Sequence, residues 1–124
     1  MYREYNPNPC GKKVGDCVIR GLTKVLEKSW DDVYWDLADE GYMDCDMPSS
    51  NSVWGNYLLK NGFIQKAVDI QPVEALCYSL PKGTYLLCTG THVVAMIKDN
   101  YDANYYDAWD SGKELITYLF VKGE

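Results

Sequence analysis

From Asp16 to about Glu27 the apolar side chains fall at Val18, Ile19, Leu22, Val25 and Leu26. That is the i, i+1, i+4, i+7, i+8 spacing of one face of a helix. Gly15 and Asp16 stand where this helix begins. An aspartate there caps the free amides and carries a charge favoured by the positive end of the dipole. Cys17 is thereby placed in the first turn. A second helix is predicted after Ser29, with Asp31 and Asp32 in its first turn, Trp30, Val33, Tyr34 and Leu37 as its apolar stripe, and Gly41 as its stop. Beyond a polar loop from Asp44 to Ser50, the residues Val53, Trp54, Tyr57 and Leu58 repeat the pattern in a short third helix that Asn61-Gly62 ends. Pro72 suits the opening of a fourth, reaching about Leu80. One strand, Phe63 to Val68, fits between the third and fourth helices.

From Gly83 the pattern changes to β-rich runs: Thr84 to Thr89, His92 to Lys98, Tyr105 to Asp110 and Leu115 to Val121. The turn signals Thr89-Gly90, Asp99-Asn100 and Ser111-Gly112 separate them. Helices first and strands last predict an α+β fold, with N-terminal helices packed on a C-terminal antiparallel sheet laid out as a meander. No repeat, low-complexity tract or linker breaks the chain. Its 124 residues, 47% of them apolar, suit one domain over residues 1–124.

Charge narrows the partners. Twelve Lys and Arg against eighteen Asp and Glu give a formal charge of -6, the wrong sign for a phosphate-backbone binder. Nucleic acid and anionic membrane are therefore not expected partners. The opening residues lack the apolar core of a signal peptide, and no apolar run approaches the roughly 18 residues of a membrane span. The five cysteines, at 10, 17, 45, 77 and 88, are odd in number and not closely paired, unlike a secreted disulfide framework. A reducing cytoplasm is the expected compartment. With no CxxC and one histidine, neither a metal site nor a cofactor is expected.

Each cysteine then needs its own explanation. Cys45 falls in an acidic loop, Cys77 inside a helix and Cys88 in an apolar strand, and these three read as packing or loop residues. Cys17 differs, because unpaired amides and the dipole at a helix start stabilise a thiolate. The same amides can receive an oxyanion. His92 is the one imidazole base in the chain, placed where a strand begins. A third group must orient it, and strand register selects between two aspartates. If Asp99-Asn100 is a two-residue loop, Lys98 pairs with Tyr101 and His92 falls opposite Asp107. If the loop runs from Lys98 to Asn104, Ile97 pairs with Tyr105 and His92 faces Asp110. Asp110, just ahead of Ser111-Gly112, also reads as a turn-closing aspartate. Trp109 shares a face with Asp107, where it would shield a histidine–carboxylate bond from water.

Three segments now carry a resemblance: Gly15-Asp16-Cys17-Val18-Ile19-Arg20, Thr91-His92-Val93-Val94, and Tyr106-Asp107-Ala108-Trp109-Asp110-Ser111-Gly112. Together with Asp46-Met47-Pro48-Ser49-Ser50-Asn51 and Val53-Trp54-Gly55, they cover nearly the whole chain. It resembles the small papain-like cysteine peptidase-type proteins encoded by phages and prophages of Gram-positive bacteria. The order Cys, His, Asp is similar to papain-like peptidases generally, including the domains that trim bacteriocin leaders. The resemblance implies a papain-like fold and a thiol hydrolase acting on a protein or peptide substrate, at a peptide, amide or isopeptide bond, in the bacterial host cytoplasm. Cys17 would attack, His92 would carry the proton, and Asp107, favoured over Asp110 by its separation from His92, would orient the ring. Many papain-like enzymes hold an oxyanion-donating glutamine six residues before the cysteine, and here Gly11 stands there. Asn8, Lys12 or the Cys17 amide are left as donors. Arg20 and Asn51 are named by the same resemblance, Arg20 as a source of positive potential or a surface salt bridge, and Asn51 as a site residue or a helix cap. Transglutaminase-like folds share the order Cys, His, Asp, so acyl transfer or deamidation is an alternative. Another is a non-catalytic binding module that keeps the fold, for which eleven tyrosines and four tryptophans are suitable interface residues.

Overall fold

The computed structural model describes residues 1–123. In chain order its elements are β1 (Tyr2–Glu4), α1 (Cys17–Leu26), α2 (Trp30–Met43), α3 (Asn51–Lys60), β2 (Phe63–Pro72), α4 (Val73–Ser79), β3 (Gly83–Cys88), β4 (Val93–Lys98), β5 (Ala103–Asp107) and β6 (Leu115–Lys122). The six strands form one sheet in the order β1-β5-β4-β3-β6-β2. Every neighbouring pair is antiparallel except β1 with β5, so the sheet is mixed.

The α+β architecture is as the pattern implied, but the sheet is not a simple antiparallel meander. Only β3, β4 and β5 follow one another that way. β6 lies beside β3 rather than β5, and the outer edge of β5 is taken by β1, a strand that the proline-rich opening gave no sign of. Burial accounts for the place of β6. Its Phe120 packs with one apolar cluster while Ile116 and Leu119 pack with another, and a strand covered on both faces belongs inside a sheet.

Those clusters lie on opposite faces. Leu86, Cys88, Val93 and Ala95 from β3 and β4 meet Leu22 and Val25 of α1, Val33 and Leu37 of α2, and Trp54 and Leu58 of α3. The alternate residues Tyr85, Leu87, Val94 and Met96 meet Val73 and Leu76 of α4. Side chains one apart on a strand point oppositely, which is why an unbroken apolar run such as Val93–Met96 can serve both layers.

Two glycines set how closely the helices approach. A Cβ at Gly21 would stand 2.6 Å from Leu86 Cδ1, so α1 lies against β3 with no room to spare. Gly41 does not end α2, which runs on to Met43. Its missing side chain instead admits the loop that follows, since a Cβ there would meet the Asp46 carbonyl oxygen at 2.9 Å. β2 likewise runs past Val68 to Pro72, with an irregularity between Ala67 and Gln71.

Candidate active site

Cys17 is the first residue of α1. Because α1 lies against the sheet at Gly21, its first turn is brought to the start of β4. There the β3–β4 turn presents His92. Thr89 holds that turn: its Oγ1 accepts from the amides of His92 at 3.0 Å and Thr91 at 3.2 Å, and its own amide donates to the His92 carbonyl at 2.9 Å. Gly90, with φ of +109°, supplies the left-handed residue the turn requires. Asn51 ties the turn to α3. Its Nδ2 donates to the Gly90 carbonyl at 3.2 Å and its Oδ1 accepts from Trp54 Nε1 at 3.1 Å. The helix cap position belongs to Ser50 rather than to Asn51.

The β4–β5 register differs from both registers weighed above. Ile97 pairs with Asn104 and Lys98 with Ala103. The intervening loop is held by Asp99, whose Oδ1 accepts from the amides of Tyr101 and Asp102 at 2.8 Å each. Continued to the strand end, this register sets His92 opposite Trp109. Asp107, two residues earlier, is then a diagonal neighbour on the same face, within reach of a long side chain. His92 Nε2 and Asp107 Oδ2 are 2.7 Å apart, and the Trp109 ring stacks on the imidazole with centroids 5.2 Å apart and planes at 28°.

Asp107 is fully buried and its carboxylate is saturated. Oδ2 accepts from His92 and, at 2.6 Å, from Ser111 Oγ. Oδ1 accepts from the Ala108 amide at 2.7 Å and from Arg20 Nη2 at 2.9 Å. Arg20 is buried rather than forming a surface salt bridge. Its Nη1 also donates to Asp16 Oδ1 at 3.1 Å, and Asp16 Oδ2 accepts from the Trp30 indole at 2.9 Å. Asp16 therefore occupies the cap position without making a side-chain cap bond; both of its oxygens are committed elsewhere. Asp110 closes the following turn, accepting from Tyr105 Oη at 2.5 Å and from the Gly112 amide at 3.0 Å.

The electrostatics follow from this arrangement. Burial alone would push the Cys17 thiol up, but the neighbouring His92 ring and Val93 backbone, and the positive charges of His92 and Arg20, bring it below its ordinary value. For His92, burial works to lower the pKa, yet Asp107 and Cys17 raise it to about 9. Burial opposes ionisation of Asp107 too, and the bonds from His92 and Ser111 overcome it, holding the carboxyl below the usual range. At neutral pH these directions favour a thiolate beside an imidazolium. Since Nε2 is occupied by Asp107, Nδ1 is the ring nitrogen left for the thiol.

The remaining cysteines are placed differently. Cys77 and Cys88 are buried, and burial pushes both thiols up. Cys10 and Cys45 are exposed, and all five are free. Asn8 Oδ1 is spent within its own loop, accepting from the amides of Cys10 and Lys12, and the Lys12 side chain is exposed. Among the described residues, neither Asn8 nor Lys12 makes a side-chain bond to Cys17, His92 or Asp107. The first amide bonded within α1 is that of Arg20, to the Asp16 carbonyl at 2.8 Å. The amides of Cys17, Val18 and Ile19 are thus the free donors at the thiol end of the helix. A groove of about 390 Å³, lined mainly by Val14, Val18, Ile19, Trp30, Leu37 and Pro48, flanks the same helix start.

Three members of this network were not legible as such. Ser111 reads as a turn residue, and only its distance from Asp107 reveals otherwise. Asp16 and Arg20 show the i, i+4 spacing of a helical ion pair, but nothing in the sequence says that the pair is buried or that it reaches Asp107. Among the described residues, no group of three or more His, Cys, Asp or Glu could hold a metal ion, and no helix is long and apolar enough to cross a membrane.

Fold and site together define, among the described residues, an α+β arrangement of four helices and a six-stranded mixed sheet, with a Cys-His-Asp constellation where the first helix meets the sheet. No family model, curated protein or solved structure matches it.

Proposed function

We propose that this protein is a papain-like thiol hydrolase that cleaves a peptide, amide or isopeptide bond in a protein or peptide, in a reducing cytoplasm. The observation that carries the reading is His92, held through Nε2 at 2.7 Å by a buried Asp107 beside the Cys17 thiol, whose pKa it helps to bring below its ordinary value.

In this reading the Cys17 thiolate attacks the substrate carbonyl carbon and forms a C–S bond, and the carbonyl oxygen takes up the negative charge. The Cys17 amide, one of the free donors of the first turn, can receive that charge. His92, protonated at Nδ1, passes its proton to the leaving nitrogen as the C–N bond breaks, leaving an acyl group on Cys17. Neutral His92 next takes a proton from water. The resulting hydroxide attacks the thioester, and the acid product leaves as the thiolate is restored. Asp107 stays ionised throughout and fixes the ring. The groove beside the helix start offers apolar walls to a substrate side chain.

Alkylation by iodoacetamide tests the reading directly. Cys17 is expected to react at pH 7 far faster than Cys10 and Cys45, which are exposed and serve as internal controls. His92→Ala should remove the advantage. Equal labelling of the three thiols, or fast labelling that survives His92→Ala, would sink the reading. Mass analysis of products from a peptide library, with and without an added amine, separates hydrolysis from acyl transfer.

A further inference from the structure

An ionised aspartate is a demanding choice of orienter for a thiolate–imidazolium pair. It stabilises the imidazolium, but it also puts a second negative charge near the sulfur, and like charges disfavour thiol ionisation. It has two equivalent oxygens as well, and only one can face Nε2. In this protein both difficulties meet the same side chain. Arg20 is 6% exposed and buries its guanidinium between Asp16, the residue immediately before the nucleophile, and Asp107. It donates to Asp16 Oδ1 at 3.1 Å and to Asp107 Oδ1 at 2.9 Å. A guanidinium stays charged at any pH the fold survives, and its planar fork can engage two acceptors at once.

We propose that Arg20 is the positioning residue of the thiol centre: by holding Asp107 Oδ1 it aims Oδ2 at His92 Nε2 and offsets the aspartate's charge, so that Asp107 orients the base without keeping Cys17 protonated. This rests on the thiol-hydrolase reading above. Around the pair, α1 and the residue before it contribute Cys17 and Asp16, β3 contributes Cys88, on which the Cys17 charge acts, and the start of β4 contributes His92. The turn after β5 contributes Asp110, and β1 contributes Glu4, in register with Asp107, and Tyr2, whose hydroxyl donates to the Asp107 carbonyl at 3.1 Å. Ser111 and the Ala108 amide are neutral donors. Arg20 is thus the permanent cation among the groups bonded to Asp107. It is also the bond that ties α1, with its thiol, to the end of β5.

The test is the rate of Cys17 alkylation as a function of pH in wild type, Arg20→Met, Arg20→Lys, Asp107→Asn and the double variant Arg20→Met/Asp107→Asn. Arg20→Met is expected to move the midpoint of the alkylation profile up by about one pH unit, making Cys17 roughly tenfold less reactive at pH values below the wild-type midpoint, where all rates are compared. Arg20→Lys, which keeps the charge but not the fork, should recover part of that loss. With Asp107→Asn already present, adding Arg20→Met should change the rate less than about twofold, because the charge to be offset is gone. A folded Arg20→Met protein with an unmoved midpoint overturns the proposal. So does a further tenfold fall in the Asp107→Asn background, which would mean that Arg20 acts on the fold or the thiol independently of Asp107. Should Arg20→Met fail to fold, because it leaves buried carboxylates unpaired, the double variant against Asp107→Asn, together with Arg20→Lys, decides the matter. If wild-type Cys17 reacts no faster than Cys10 and Cys45, the hydrolase reading itself has failed. A reactive wild-type thiol indifferent to Arg20 leaves that reading standing and removes only this one.

Discussion

His92 is pulled in two directions, by burial toward the neutral ring and by Asp107 and Cys17 toward the imidazolium, and the second pull carries its pKa to about 9. The Cys17 thiol is lowered. The thiolate–imidazolium pair therefore exists between the lowered thiol value and about 9. Below that window the sulfur gains a proton and loses nucleophilicity; above it the imidazolium loses the proton that the leaving nitrogen needs. A pH profile of kcat/KM for any cleaved peptide should be bell-shaped with its alkaline limb near 9, and an alkaline limb near the ordinary imidazole value would contradict the assignment. At this scale the choice of residues could be read from residue type alone: one histidine, and one cysteine at a helix start. Which aspartate bonds His92 could not, because both registers weighed missed the actual pairing of Ile97 with Asn104. Asp107 is reached along a diagonal, and register alone does not tell whether a diagonal contact is made.

At the scale of elements, the site depends on two joints. The first is α1 against β3, where Gly21 leaves no space for a methyl group. Gly21→Ala would gain about 1 kcal/mol in helix propensity but force Leu86 or the helix to move, and overpacking costs about 1–3 kcal/mol. The expected outcome is a net loss of up to about 2 kcal/mol in denaturant unfolding, together with slower Cys17 alkylation as the helix start shifts away from β4. The second joint is Asn51, which bonds the Gly90 carbonyl in the turn that carries His92. Asn51→Ala removes two bonds, this one and the one accepted from the buried Trp54 Nε1, each worth about 1 kcal/mol. It should lower kcat severalfold and lower the melting temperature by several degrees, which a peptide assay and a thermal scan would read together. The helices themselves were visible as apolar stripes. β1 was not, since three residues beside a proline-rich coil have no period of their own and become a strand only because β5 offers an unpaired edge.

Across the whole molecule, buried carboxylates link stability to pH. Asp107 is fully buried with its pKa held down, so its stabilising contribution is complete above the ordinary carboxylate value near 4. It is lost as the pH falls through the depressed folded value. Wild-type protein should thus lose stability on acidification more steeply than Asp107→Asn, measured as the change in unfolding free energy per pH unit between about pH 5 and 2. Equal slopes would mean that Asp107 is not ionised in the fold.

What the chain's linear pattern determined was the helices, the β-rich final third, the α+β class and the identity of the nucleophile and base candidates. These follow from local periodicity, helix-end chemistry and residue count, and need no knowledge of distant contacts. Only the tertiary structure decided that β6 inserts beside β3, that β1 closes the edge of β5, and that Asp16, Arg20, Ser111 and Asp107 join in one buried network. Those outcomes turn on which apolar faces must be covered on both sides and on how a buried carboxylate fills its hydrogen bonds. Such demands are met by residues 87 positions apart, as Arg20 and Asp107 are, and no local pattern records them.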